Sequence, residues 1–303
     1  MSVQITTAFV EQYKANFMLL LQQKGSKLRS HVRLESVTGK NAFFEQIGPT
    51  TARLRTSRHA DTPRMDTPHA RRRVSLGDYD WADLIDDEDK LRMLLDPASV
   101  YSENAMYAMG RAIDDLIITA VDGTAYTGVD GSTSTAYDTN MTVGIQTVWP
   151  GVSAADTGLN LAKLIECKKV LANYNNDPDD EVIVVVDGRQ ISSLLKDERV
   201  VSGDYNSALP LMSGKVSRLA GCTLVPCNRL QTDANSDYKV PYFTKAGMLL
   251  AMGKQPTIRI SERDDKNYAT QVFASMTIGA TRMEEQRVGY ILCDPGASPI
   301  TDA

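Results

Sequence analysis

The stretch from about Thr38 to Asp80 limits what this chain can fold into. Core-forming residues all but stop after Ile47. Seven arginines follow (Arg53, Arg55, Arg58, Arg64, Arg71, Arg72, Arg73) against two acids, Asp61 and Asp66. Both ends are patterned for strands. Val32, Leu34 and Val37 read as one, Phe43, Phe44 and Ile47 as another, and Val74, Leu76, Tyr79 and Trp81 as the return. Between them, two Thr-Pro steps break any periodicity and mark a loop tip. The pattern predicts a long two-stranded β-ribbon. An isolated hairpin is marginal in water even with an apolar face, and this one lacks most of that face. A second surface has to hold it.

The sign of charge then reverses. Eight acids between Asp78 and Asp96 stand against Lys90 and Arg92. A basic run followed at once by an acidic one suits head-to-tail association between copies, where complementary charge fixes register and encounter rate more than affinity. The seven arginines and the acids Asp83, Asp86, Asp87, Glu88 and Asp89 are therefore the candidate contact residues. The bland alternative is two solvated runs that never meet. Nucleic-acid recognition by the arginines is a weaker reading, because no aromatic residue lies between Arg53 and Arg73 to stack a base. The net charge of −5 also argues against a chain that coats nucleic acid with its whole surface.

The remaining elements follow from periodicity. Phe9, Tyr13, Phe17, Leu20 and Leu21 predict a helix over about 6–23, and a short helix is expected from Leu84 to Leu95. Asp96-Pro97 supplies a cap and a first-turn proline. Ala105, Met109, Ala112, Ile113, Leu116, Ile117 and Ala120 then hold one face as far as Gly123. This helix reads as a spine with a single buried stripe. A Gly/Ser/Thr-rich loop follows to Gly158. An α/β unit then alternates a helix in LNLAKLIECKKVLANYN (159–175), a β-branched strand (EVIVVVDG), a helix from Arg189 to Lys196 and a strand in GCTLVPCNRL. From Lys245 the pattern is alternating strands up to Cys293, which predicts one sheet covered by the spine.

Catalytic signatures are missing. The three histidines (His31, His59, His69) lie in polar segments of the first quarter, and no G-x-S-x-G or phosphate-loop glycine pattern is present. Cys222 and Cys227 are the one close cysteine pair, without the second pair of a zinc site. Asp187 at the end of the β-branched strand reads as turn chemistry. No stretch approaches the roughly 18 apolar residues of a membrane span, and the N-terminal segment lacks the charged start and cleavage site of a signal peptide. The expectation is no catalytic, cofactor or metal site and no membrane association.

The order of parts resembles the major capsid protein of tailed bacteriophages, the Hong Kong 97-type fold that encapsulin shells share. The likeness is carried by Arg58 to Ala125 and by the tail from Gly247 to Pro295. It implies an α+β chain divided into an N-terminal arm (1–33), an extended loop (34–80), a peripheral domain with the spine (81–125 and 245–303), the Gly/Ser/Thr-rich loop (126–158) and an axial domain (159–244). It also implies a structural protein that assembles into pentamers and hexamers of an icosahedral head around double-stranded DNA, held without sequence specificity. Synthesis in the host cytoplasm and a final place in the virion belong to the same expectation. About thirty residues precede the ribbon, so a separate scaffolding protein is implied, with a portal and a decoration protein as further partners. Lys40 and Asn41 lie near the ribbon base, so no isopeptide cross-link is expected. The alternatives are an encapsulin-type compartment and an α/β enzyme centred on Asp187.

Overall fold

The apolar stripe of the predicted spine forms helix α1 (Ala98–Asp122), whose 25 residues span about 37 Å at 1.5 Å per residue. The computed structural model describes residues 22–59, 61–62, 64–86, 98–149, 155–197 and 217–296. The helix expected over 6–23 except its last two residues, most of the one expected over 84–95, and the Asp96-Pro97 start lie outside those residues. Ala105, Met109, Ile113 and Ile117 are buried along one side of α1, as their three- and four-residue spacing requires.

That side covers a four-stranded sheet in the order β1-β12-β13-β4, built from β1 (Arg33–Ser36), β4 (Gly77–Ile85), β12 (Met248–Arg263) and β13 (Ala269–Arg282). Val272, Ala274, Met276 and Ile278 alternate inward along β13 toward α1. The two segments expected near 248–252 and 257–261 are one strand of 16 residues, with irregular register between Met252 and Thr257. The return segment that the sequence assigned to the ribbon divides in two. Its second half is β4, which pairs with β13 (Asp80 opposite Ser275) and sets Tyr79 and Trp81 against the core. The expected helix beginning at Leu84 is overridden there, since Leu84 and Ile85 end β4.

A six-stranded sheet in the order β7-β14-β11-β8-β10-β9 lies beside it. It comprises β7 (Thr142–Val143), β8 (Val182–Val186), β9 (Arg218–Leu219), β10 (Cys222–Pro226), β11 (Tyr238–Thr244) and β14 (Val288–Cys293). All five residues of β8 are buried. Ile183 and Val185 face the α1 core, while Val182, Val184 and Val186 face the core of helix α2 (Leu161–Asn173). Cover on both faces explains the unbroken β-branched run. Helix α3 (Gly188–Lys196) follows, with Asp187 as its N-cap in a capping box with Gln190, so this aspartate serves to start a helix. β14 was expected in the sheet from Lys245. It pairs instead with β11, because its own alternation supplies a residue to each core, Val288 to one and Ile291 to the other.

A third sheet, β2-β3-β5-β6, holds the ribbon. It contains β2 (Asn41–Ile47), β3 (His69–Ser75), β5 (Ala125–Thr127) and β6 (Thr133–Thr135). The Gly/Ser/Thr-rich segment therefore carries two strands that brace the ribbon and a third, β7, in the six-stranded sheet.

Two side-chain clusters on α1 join separate parts of the chain. Asp114 is fully buried and accepts from Ser26 Oγ at 2.6 Å, Gln23 Nε2 at 2.6 Å and the amides of Lys27 and Leu28. Gly110 admits the Gly25 backbone there, since a Cβ at Gly110 would lie 2.5 Å from the Gly25 carbonyl carbon. On the exposed side, Asp115, Thr119 and Asp122 bond Arg229, Gln231 and Lys239 in turn. These rungs tie the helix to the six-stranded unit.

Candidate functional site

Period two sorts the Arg71-Arg72-Arg73 run onto opposite faces of β3. Arg72 turns inward and is only 3% exposed. Its Nε and Nη2 donate to the Met283 carbonyl at 3.1 and 2.8 Å, and Nη2 pairs with Glu285 at 2.9 Å. Gln46 on β2 donates to the same carbonyl. Arg71 turns outward, pairs with Glu45 at 2.8 Å and lies 5.7 Å from the centroid of Phe43. Arg73 lies 4.6 Å from the centroid of Tyr126. The β5–β6 turn passes over it at Gly131, where φ is +60° and a Cβ would come within 2.6 Å of the Arg73 side chain. The sequence expected all three arginines to contact another copy. Arg72 is used wholly within its own chain, because strand alternation aims it at the β13–β14 turn. The ribbon base is thus clamped to the body.

This clamp sets a measurable expectation. Arg72→Ala leaves Glu285 without its partner and removes two bonds from the Met283 carbonyl, a loss of about 2–3 kcal/mol. Amide exchange in β2 and β3 should accelerate while that of α1 stays at the wild-type rate. Equal acceleration in both would show that the clamp belongs to the global fold.

Beyond Gly48, whose amide bonds the Pro68 carbonyl at 2.8 Å, the described residues of the ribbon join no further ladder. Arg53, Arg55, Arg58 and Arg64 are all exposed there, and none pairs with a carboxylate among the described residues. Arg55 bonds the Ser57 carbonyl. The tip is therefore an extended stretch with a cationic excess, its four arginines outnumbering Asp61 and Asp66.

The acidic counterpart is β4, the edge of the four-stranded sheet. Its alternation puts Asp78 and Asp80 on the outer, exposed face and Asp83 on the face toward α1. Asp86 follows, exposed; Asp87, Glu88 and Asp89 lie outside the described residues. Asp78 accepts from Thr277 Oγ1 at 2.6 Å, and Asp83 accepts from the Leu84 amide. No cation pairs with Asp78, Asp80, Asp83 or Asp86 among the described residues. Several acids of the body do meet a cation: Asp115 pairs with Arg229, Asp122 with Lys239 and Asp180 with Arg287. The expected contact set began at Asp83 and passed over Asp78 and Asp80. The signal for them was the D-Y-D-W alternation, which puts both aspartates on one strand face.

Among the described residues, the buried thiols of Cys167, Cys227 and Cys293 are poor nucleophiles. Burial pushes the thiols of Cys227 and Cys293 up to about 11 and raises Cys167 as well, which keeps them protonated and weakly nucleophilic at neutral pH. No cluster of three or more metal-ligating side chains exists among the described residues, and no described helix is long and apolar enough to cross a membrane.

This arrangement of spine, sheets and ribbon recurs in solved structures. The capsid of cyanophage P-SCSP1u superposes with a TM-score of 0.73 at 18% identity, over 96% of this chain and 94% of that one. The capsid of cyanophage Pam1 gives 0.72 at 13% identity, over 97% and 98%. The capsid of a native GTA particle gives 0.69 at 12% identity, over 95% and 96%. No curated protein matches in sequence. The fold is the α+β Hong Kong 97-type capsid fold expected from the order of elements. The profile of the family described as phage capsid protein matches residues 5–295, so the chain belongs to the phage capsid protein family and its role is structural.

Proposed function

We propose that this chain is the repeating subunit of an icosahedral phage head, closing into pentamers and hexamers around double-stranded DNA. The observation that carries the reading is the pair of unmatched charge sets, four arginines on a projecting tip and four acids along and beyond an edge strand. Each set lacks ion-pair partners among the described residues of its own chain and each complements the other, as a heterologous contact between identical copies requires. In this reading α1 with the β1-β12-β13-β4 sheet is the peripheral domain, and α2, α3 and most of the six-stranded sheet are the axial domain that meets its copies around the symmetry axes. Assembly takes place in the host cytoplasm on a separate scaffolding protein, with a portal at one vertex and a decoration protein outside. The DNA is enclosed without sequence recognition.

The test is expression of the chain with the scaffolding protein of the same phage, followed by negative-stain microscopy. Closed shells of uniform diameter are expected. A chain that stays monomeric under those conditions overturns the reading.

A further inference from the structure

The outer edge of β4 carries no strand among the described residues, and the ribbon tip offers a segment with no partner. Residues 51–57 are exposed at every position and join no ladder. Their sequence, Thr-Ala-Arg-Leu-Arg-Thr-Ser, has a period of two. Laid out as a strand, it projects Arg53 and Arg55 on one face and Leu54 on the other. β4 has the matching period, with Asp78 and Asp80 on its outer face and Tyr79 and Trp81 on the face toward α1. We propose that residues 51–57 of one copy add as a strand to the free edge of β4 in a second copy, setting Arg53 and Arg55 over Asp78 and Asp80, and Leu54 beside Tyr79 and Trp81.

The inference rests on the self-assembling reading above and deepens it by naming the surface that receives the tip. A free strand edge presents alternate N–H and C=O groups to an incoming chain. In strand addition the backbone supplies attraction and the alternate side chains choose the partner. Aspartates spaced two apart disfavour an acidic strand and favour a basic one, since opposite charges across a strand pair attract and like charges repel. Leu54, 86% exposed in the free chain, gains an apolar neighbour. The register is strict, because a slip of one residue turns both arginines to the opposite face. Reach is ample: the twelve steps from Asn41 to Arg53 span about 40 Å at 3.3 Å each. In its own copy the tip does not pair with β4, whose described strand partner is β13.

Cross-linking tests this directly. All four native cysteines are free and buried, so an introduced pair is the accessible one among them. Arg53→Cys with Asp80→Cys reports an antiparallel addition, and Arg53→Cys with Asp78→Cys a parallel one. Assembled particles of one of these variants, mildly oxidised, are expected to run on a non-reducing gel as a ladder of covalent multimers that reductant collapses to monomer. Particles that form while neither pair links overturn the proposal and leave the shell function standing. A charge exchange covers variants that do not assemble. Asp78→Lys with Asp80→Lys should lower particle yield about tenfold, and adding Arg53→Glu with Arg55→Glu should restore it to within about twofold of wild type. Unchanged yield in the first, or no recovery in the second, counts against the strand addition. Failure of the wild-type chain to assemble counts against the shell itself.

Discussion

Replacing Arg53, Arg55, Arg58 and Arg64 together by glutamate is expected to leave the subunit folded and to abolish shells. All four side chains are exposed, and the change breaks no ion pair among the described residues. Surface substitutions of this kind fall within about ±0.5 kcal/mol each. A single exposed ion pair with a neighbour contributes about 0–1 kcal/mol. Reversal does more than delete that contribution, since like charges brought together across an interface cost on the order of several kcal/mol, repeated at every copy. The thermal melt of the purified variant should superpose on that of wild type, while sedimentation of the co-expressed material should show no fast-moving particles. Normal particles would remove the tip from the interface. The same reversal at Arg71, Arg72 and Arg73 is a poorer experiment, because Arg72 anchors the ribbon to the Met283 carbonyl and Glu285.

Arg282→Ala is expected to be the most damaging single substitution in the body. The guanidinium is fully buried where α1 ends. It donates to the carbonyls of Val121 (3.0 Å) and Gly123 and to that of Thr135 on β6, with Tyr137 lying 5.8 Å away by ring centroid. The last carbonyls of a helix have no partner within it, and Arg282 supplies one from β13. Burial lowers the pKa of this arginine from its ordinary value; the carbonyls around it offset part of that cost. Truncation leaves these acceptors unsatisfied and opens a cavity, together about 3–4 kcal/mol. The melting temperature of the subunit should fall on the order of 10 °C. A fall of a degree or two would mean that water replaces the guanidinium without penalty.

Much of this architecture was legible in the residues, for local reasons. α1 declared itself through an apolar face repeated from Ala105 to Ala120, and β8 through five consecutive β-branched residues. The order of elements carried the capsid resemblance. What escaped was pairing between distant segments. Tyr79 and Trp81 alternate as a ribbon strand would, and nothing nearby reveals that the partner of Asp80 is Ser275, nearly two hundred residues on. β14 was misassigned for the same reason, since its neighbour in sequence is β13 and its neighbour in space is β11. At the contact site the chemistry was legible and its distribution was not. The charge reversal near residue 78 is plain in the sequence. That Arg72 leaves the contact set, and that Asp78 and Asp80 share an exposed face, follow from strand alternation once the strands are located.

The rungs between α1 and residues 229–239 bear on how such a subunit can bend. Asp115, Thr119 and Asp122 bind the six-stranded unit at successive turns, and Val185, Phe243 and Val288 of that unit share a core with the helix. The two blocks therefore move as one tile. In a closed container, the differences in curvature between five-fold and six-fold settings would have to be absorbed where the tile meets its appendages, at the Arg72 clamp and at the Asp114 strap.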